Sequence, residues 1–255
     1  TLATFADQVT TVAREVGVLL RRPLKEPRIK KIKPPQTPLK IILADPKACR
    51  RYIGTLVKGV TVTESPPAIK RHLDSVGMRT INNVVDITNF CLMETGHPLH
   101  AFDYDKLAGG EIVVRRAKAG ERIVTIDGVE RALDPSILVI ADAQRPVAIA
   151  GIMGGKETEV TTETKNILLE SASFDPLVIR LAGRRLGLTS ESSYRFERGV
   201  DVRGVEKSAH RALSLMLKWA GGQIAGYKDI ATGKIRMKKG IPIALDEINA
   251  RENVR

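Results

Sequence analysis

The sequence predicts an α+β fold with mixed, mostly antiparallel sheets and packed amphipathic helices. Three observations carry that expectation. Short runs rich in β-branched and aliphatic residues recur through the middle of the chain, among them "ILVIAD", "VAIAGI" and "NILLESASF". Asp127-Gly128 stands between two further runs of this kind, where it signals a tight hairpin turn. Longer stretches such as "DPLVIRLAGRRLG" carry apolar residues at helical spacing and end in glycine, the usual helix stop.

Taken in order, residues 4–20 place Phe5, Val9, Val12, Val16 and Leu19 at helical spacing, which predicts one helix. "RRPLKEPRIKKIKPPQTPLK" follows with five prolines and eight basic side chains, so residues 21–39 are expected to be a semi-rigid linker. Residues 40–44 and 51–63 read as strands. "TESPPAIKRHLDSVG" predicts a helix with Ser65 as cap, Pro66 at the first helical position and Gly77 as stop. "NNVVDITNFCLMETG" predicts another, capped by Asn82 or Asn83 and ended by Gly96. "IVVRRAKAGERIVTIDGVERALD" reads as a hairpin meander, followed by the three short buried strands and then two amphipathic helices. One domain over 40–225 is expected, with 226–255 as a further linker and the start of something else.

Composition narrows the function classes. Hydrophobic residues make up 43% of the 255 and charged residues 27%, which is ordinary for a globular core of this size. No apolar run approaches the ~18 residues of a membrane span, so no membrane role is expected. Cys49 and Cys91 form no CxxC pattern, which fits a reduced, cytoplasmic setting. The net charge of +12 points to a polyanionic partner, but it is uneven. Residues 1–60 carry +9 and 201–255 carry +5, whereas 61–200 carry −2. Nucleic acid is therefore expected at the flanks more than around the centre. The chain begins without Met and ends within a patterned stretch, which reads as a piece of a larger protein.

Candidate chemistry centres on "METGHPLHAFD", which holds His97 and His100, two of only four histidines. Pro98 between them disrupts a shared helical face, and no Cys, Asp or Glu stands at a metal-ligand spacing, so no metal is expected. "GIMGGKE" falls one residue short of a phosphate loop and has Glu157 in place of Ser or Thr. Its glycines suit a tight turn or close backbone approach. No nucleophile elbow is present. What remains is polar groups at the ends of apolar segments: Thr88, Asn89, His100, Ala150-Gly151 and Glu170. By spacing alone Glu170 reads as an exposed strand end, or else a carboxylate facing a cavity, and His100 as a loop histidine satisfied by backbone.

Four motifs in order, "INNVVDITNFCLMETGHPLHAFDYDKL", "VAIAGIMGG", "ILLESASFDPLVIR" and "GLTSESSYRFERGVD", resemble the β subunit of bacterial-type phenylalanyl-tRNA synthetases from about Tyr52 to Gly222. "VAREVGVLLRRPL" resembles the end of that subunit's preceding core domain, so residues 1–20 would belong there, and "GIPIALDEIN" the start of the next one. The resemblance implies hydrolytic editing of tyrosine mischarged onto phenylalanine tRNA, with 40–225 as the editing domain. It implies tRNA and a synthetase α subunit as partners in a heterotetramer. It implies no cofactor in this segment, with ATP and magnesium used elsewhere in the synthetase.

It also implies roles. Glu170 would read the tyrosine hydroxyl, helped by backbone near Ala150 and Gly151. Thr88, Asn89 and His100 would line the end holding the ester and terminal adenosine, His100 orienting or activating water. Ser190 and Ser192 would form a pocket wall that in relatives often has Thr and Ala, so Ser192 makes this wall more polar. His97 would be a loop residue. A catalytically silent tRNA-contacting module and a free-standing trans-editing protein are the alternatives.

Overall fold

The structure, a computed structural model, describes residues 9–25, 29, 35, 39–233, 244 and 246. The first part of the expected N-terminal helix, most of the expected linker at 21–39 and almost all of "GIPIALDEIN" lie outside the described residues. Helix α1 (Val9–Leu19) is the described part of that first helix.

Two larger sheets and one small two-stranded sheet organise the rest of the described residues. One joins β1 (Lys40–Leu43), β4 (Glu111–Arg116), β7 (Leu138–Ala141), β8 (Pro146–Ile149) and β9 (Met153–Gly154) in the order β1-β4-β7-β8-β9. The other joins β11 (Gly221–Ala231), β2 (Cys49–Val60), β10 (Asn166–Phe174) and β3 (Leu99–Asp103) in the order β11-β2-β10-β3. Among the described residues only β1 and β4 pair in parallel, and every other pairing is antiparallel. The fold is α+β with mixed, mostly antiparallel sheets.

Strand β10 explains the layering. Its residues Ile167–Phe174 are all buried, as expected for a strand covered on both faces. Successive side chains point to opposite faces. Leu168, Ala172 and Phe174 join Tyr52, Phe102, Ile112, Ile140 and Ile149 in a core shared with the five-stranded sheet. Ile167 and Leu169 join a second core built with α3 (Asn83–Thr95) and α6 (Gly204–Trp219). Polar Ser171 lies on that second face and donates to the Val205 carbonyl at 2.8 Å, as a buried hydroxyl must.

The helix ends follow local chemistry. Asn82 caps α3, its side chain accepting from the Val84 and Val85 amides at 3.1 and 2.9 Å. Gly96 closes α3 in the left-handed conformation at φ 69°. Asn83, the other expected cap, is instead buried and donates to the Thr61 and Trp219 carbonyls. Asp175 caps α4 (Pro176–Leu186) and Gly187 ends it. A short helix not expected from the sequence, α5 (Glu191–Phe196), follows Ser190, which forms a capping box with Ser193.

Three expectations are corrected. Ser65 does not cap α2 (Pro67–Ser75); Pro66 precedes it without a side-chain cap, and Ser65 donates to buried Asp86 at 2.6 Å. A tertiary carboxylate outcompetes the local amide. The meander is broken: β4 pairs with β1 and β7, while β5 (Arg122–Val124) and β6 (Glu130–Ala132) form a separate hairpin about the Asp127-Gly128 turn. Apolar β4 is drawn into the sheet interior, whereas β5 and β6 are too exposed to compete for it. Finally, β11 runs to Ala231, so the sheet continues past residue 225, where a linker was expected. Gly221 and Gly222 hid it: both have positive φ, and a Cβ at Gly222 would meet the Lys58 carbonyl at 2.7 Å.

Asn82→Ala should cost about 1–2 kcal/mol, because one side chain satisfies two orphan amides. Asn82→Asp should recover most of it. Urea unfolding of the two variants checks this; equal stability of Asn82→Ala and the parent would show that the cap contributes nothing.

Candidate functional site

The order of strands leaves β3 at one edge of its sheet and β9 at one edge of the other. Between these edges, closed by α3 and α5, lies a cavity of about 270 Å³. Thr88 and Asn89 from α3, His100 from β3, Glu170 from β10, Gly151 after β8, and Ser190 and Ser192 at the start of α5 all line it. Residues spread over more than 100 positions thus converge on one wall system. Ala150 does not. It is 1% exposed, packs in the core behind that wall, and spends its amide on the Leu138 carbonyl at 3.0 Å.

Glu170 is neither exposed nor at a strand end. It lies mid-strand, 5% exposed, directly paired with His100 on β3 and with Gly54 on β2. Paired residues share a face, so the carboxyl and the imidazole project to the same side of the sheet. The Tyr52 hydroxyl donates to Glu170 Oε2 at 2.7 Å. Burial pushes the Glu170 carboxyl up to about 8, against the pull of that hydrogen bond. At neutral pH the carboxyl is therefore mainly the uncharged acid.

His100 is a strand residue, not the loop histidine suggested by spacing. Its ring stands edge-on to Phe102 with centroids 4.4 Å apart, and burial lowers it to about 4. It is a neutral imidazole near pH 7. Its seat depends on Gly154: a Cβ there would lie 2.6 Å from His100 Cε1. The second histidine of the motif goes elsewhere. His97 is 3% exposed, stands edge-on to Phe196 at 6.4 Å, and does not line the cavity. Among the described residues no group of three His, Cys, Asp or Glu could hold a metal ion.

The remaining polar groups differ in how free they are. Thr88 Oγ1 donates to the Val85 carbonyl at 2.6 Å, and Ser190 Oγ donates to the Ile152 carbonyl at 2.8 Å while accepting from the Ser193 amide. Ser190 thereby ties α5 to the Gly151 turn. The side chains of Asn89 and Ser192 make no hydrogen bond among the described residues, which leaves them available to a ligand. Gly151 has φ 69°, and a Cβ there would press on Phe196, Ile179 and Phe174 at 3.0–3.1 Å. Apolar Ile81 and Ile126, 60% and 44% exposed, line the cavity where it opens to solvent.

Sequence reading missed Tyr52, Ile81 and Ile126, whereas the close approach expected of the glycines at 151–155 is what Gly154 gives His100. Tyr52 carried no local signal, since an aromatic residue in an apolar strand reads as core. A second cavity of about 230 Å³ beside the β5–β6 hairpin is lined by Arg122 paired with Glu130 and Arg145 paired with Glu157. Its charges are thus largely self-satisfied. Cys49 and Cys91 are free and buried, and no helix among the described residues is long and apolar enough to cross a membrane.

Comparison with known proteins bears on this architecture. The profile of the B3/4 domain matches residues 48–221. The phenylalanine–tRNA ligase beta subunit of Moorella thermoacetica is 54% identical over 241 residues, covering 93% of this chain and 30% of its own length. That of Aquifex aeolicus is 46% identical over 231 residues, covering 91% and 29%. That of Geobacter metallireducens is 50% identical over 220 residues, covering 85% and 28%. The chain thus spans somewhat less than a third of the curated relatives it matches. It belongs to the B3/4 domain family, in the form carried by phenylalanine–tRNA ligase beta subunits.

Proposed function

We propose that this segment hydrolyses the ester of tyrosine mischarged onto phenylalanine tRNA. The observation that carries the reading is Glu170: a buried carboxyl group at the wall of a small, mainly apolar cavity that also holds a neutral histidine. Tyrosine exceeds phenylalanine by one hydroxyl, and an apolar activation pocket rejects an added hydroxyl by only about 10²-fold. A second pocket gains selectivity by making that hydroxyl necessary. A ligand lacking it would leave a buried polar group unpaired, which costs about 1–3 kcal/mol.

The cavity, about 270 Å³, suits one aromatic amino-acid side chain. The terminal nucleotide would then lie towards the mouth, beside Ile81 and Ile126. Hydrolysis requires water aligned on the ester carbonyl and donors for the developing oxyanion. His100, uncharged near pH 7, orients the attacking water. As the water adds to the carbonyl, its proton passes by way of the neighbouring ribose hydroxyl to the departing ribose oxygen, while the Asn89 amide donates to the oxyanion. The ribose hydroxyl next to the ester shares this work. The basic flanks, +9 over residues 1–60 and +5 over 201–255, favour a polyanionic substrate that passes over the ends of the segment rather than its centre.

In this reading the parent chain is the β subunit of a cytoplasmic phenylalanine–tRNA ligase. It would assemble with an α subunit into a heterotetramer. ATP and magnesium would serve activation outside this segment, and no cofactor would be needed here.

Glu170→Ala should retain the fold and lower the preference for the tyrosyl over the phenylalanyl ester by roughly 10- to 100-fold. Deacylation of the two charged tRNAs by the intact synthetase measures it, and an unchanged ratio would remove Glu170 from recognition.

Ser192→Trp should abolish hydrolysis of tyrosyl-tRNA by filling the cavity. Wild-type deacylation by this variant would mean that Ser192 does not bound the bound side chain.

Gly154→Ala should displace the His100 ring and slow hydrolysis on the order of 10²-fold, the effect of a misplacement of about 1 Å. Thermal denaturation would confirm that the protein is folded; a wild-type rate in the folded variant would exclude His100 from catalysis.

A further inference from the structure

Among buried polar groups, Tyr52 stands apart. It is 0% exposed and sits on β2 directly opposite Ala172, one pair along the same face from Glu170 and Gly54. Because residue 54 has no side chain, nothing on β2 intervenes between the Tyr52 ring and the Glu170 carboxyl. The phenol reaches Oε2 at 2.7 Å. Tyr52 itself does not line the cavity. Burial and the adjacent carboxyl hold the phenol protonated, so it is always the donor in this bond.

We infer that Tyr52 is a positioning residue for substrate selection: its phenol fixes Oε2 of Glu170 and so presents Oε1 alone to a para-substituent of the bound aminoacyl ester. Oε1 has no hydrogen-bond partner among the described residues. With Oε2 occupied as an acceptor, any proton on the carboxyl resides on Oε1. A para-hydroxyl can pair with Oε1 in either state, since it both donates and accepts. A para-amino group can donate to the ionised form and accept from the protonated form through its nitrogen lone pair. A bare ring or a para-methyl group can do neither and leaves the buried Oε1 unpaired. The selected class is therefore aromatic side chains with a para group that can both donate and accept a hydrogen bond, rather than tyrosine by its size. This inference rests on the hydrolytic reading above.

The groups facing the Glu170 carboxyl are few. Tyr52 and Cys49 lie on β2 and His100 on β3, with Glu159 and Glu191 elsewhere on the cavity wall. Burial keeps Cys49 a thiol and His100 uncharged near neutrality. The Tyr52 bond is thus the main protein contact favouring the ionised carboxyl. Removing it raises the Glu170 titration further; a stronger donor lowers it.

The test uses intact synthetase and three esters of phenylalanine tRNA: tyrosyl, para-aminophenylalanyl and phenylalanyl. Rates are measured across the neutral range with spontaneous hydrolysis subtracted. In the wild type the first two should be hydrolysed in preference to the third. Tyr52→Phe, which keeps the ring, should lower both preferences on the order of tenfold and move the midpoint of the pH profile upward. Replacement of Tyr52 by 3-fluorotyrosine, a better donor, should move that midpoint downward and preserve selection, and it decides the matter if Tyr52→Phe does not fold. Glu170→Gln should abolish the titration step. Unchanged preference and midpoint in Tyr52→Phe, or an unshifted midpoint with 3-fluorotyrosine, would reduce Tyr52 to core filling and overturn the inference while the hydrolytic reading stands. No tyrosyl hydrolysis by the wild type would overturn both.

Discussion

The pairing register of β10 with β2 and β3 is the constraint on which the rest of the site depends. With Glu170 opposite His100 on one side and Gly54 on the other, one face of the sheet sets an acid beside an imidazole, and Ile41 fills the space a side chain at residue 54 would take. A slip by one residue would turn Glu170 toward α6 and put Leu169 in the cavity. The register is held by both cores at once, because Leu168 and Phe174 pack on one side and Ile167 and Leu169 on the other. Packing that stabilises the fold therefore also sets the chemistry.

Burial then decides the charge state of what the register brings together. Desolvation disfavours ions of either sign, so it raises the Glu170 carboxyl and lowers the His100 imidazole. Both groups are mainly neutral near pH 7, although the chain as a whole is strongly basic. The linkage has two signs. Glu170, raised to about 8, contributes stability that is present below its unfolded value near 4.5 and is lost as pH rises through 8. His100 and His97, lowered to about 4, cost stability as pH falls below their unfolded value of 6.5. The domain is thus poised between two opposing penalties, each arising mainly from burial, which at His97 outweighs the attraction of the Asp201 carboxylate.

The second requirement is close approach. Gly154 leaves room for His100, Gly151 turns the chain past Phe196, and Ser190 pins α5 to the Ile152 carbonyl. Together they place β9 and α5 close enough to the edge strand β3 to close a cavity rather than a groove.

How far this was legible in the sequence varies with the range of the interaction. Some helix ends were: Asn82, Gly96 and Gly187 act within a turn of their own positions, so the local residue type suffices. The tight turn at Asp127-Gly128 was legible for the same reason. Strand partners were not, because β4 reads the same beside β5 as between β1 and β7. Ser65 was misread where a distant carboxylate, Asp86, captured its hydroxyl. In the site, the motifs named Thr88, Asn89, His100, Gly151, Glu170, Ser190 and Ser192, all of which meet in the cavity, and also Ala150, which does not. The cap at Asn82, the helix stops at Gly96 and Gly187 and the Asp127-Gly128 turn were thus determined by the sequence alone. The burial of Glu170, its bond to Tyr52 and the separation of His97 from His100 were decided only by the tertiary structure, since each depends on strands distant in the chain meeting in one register.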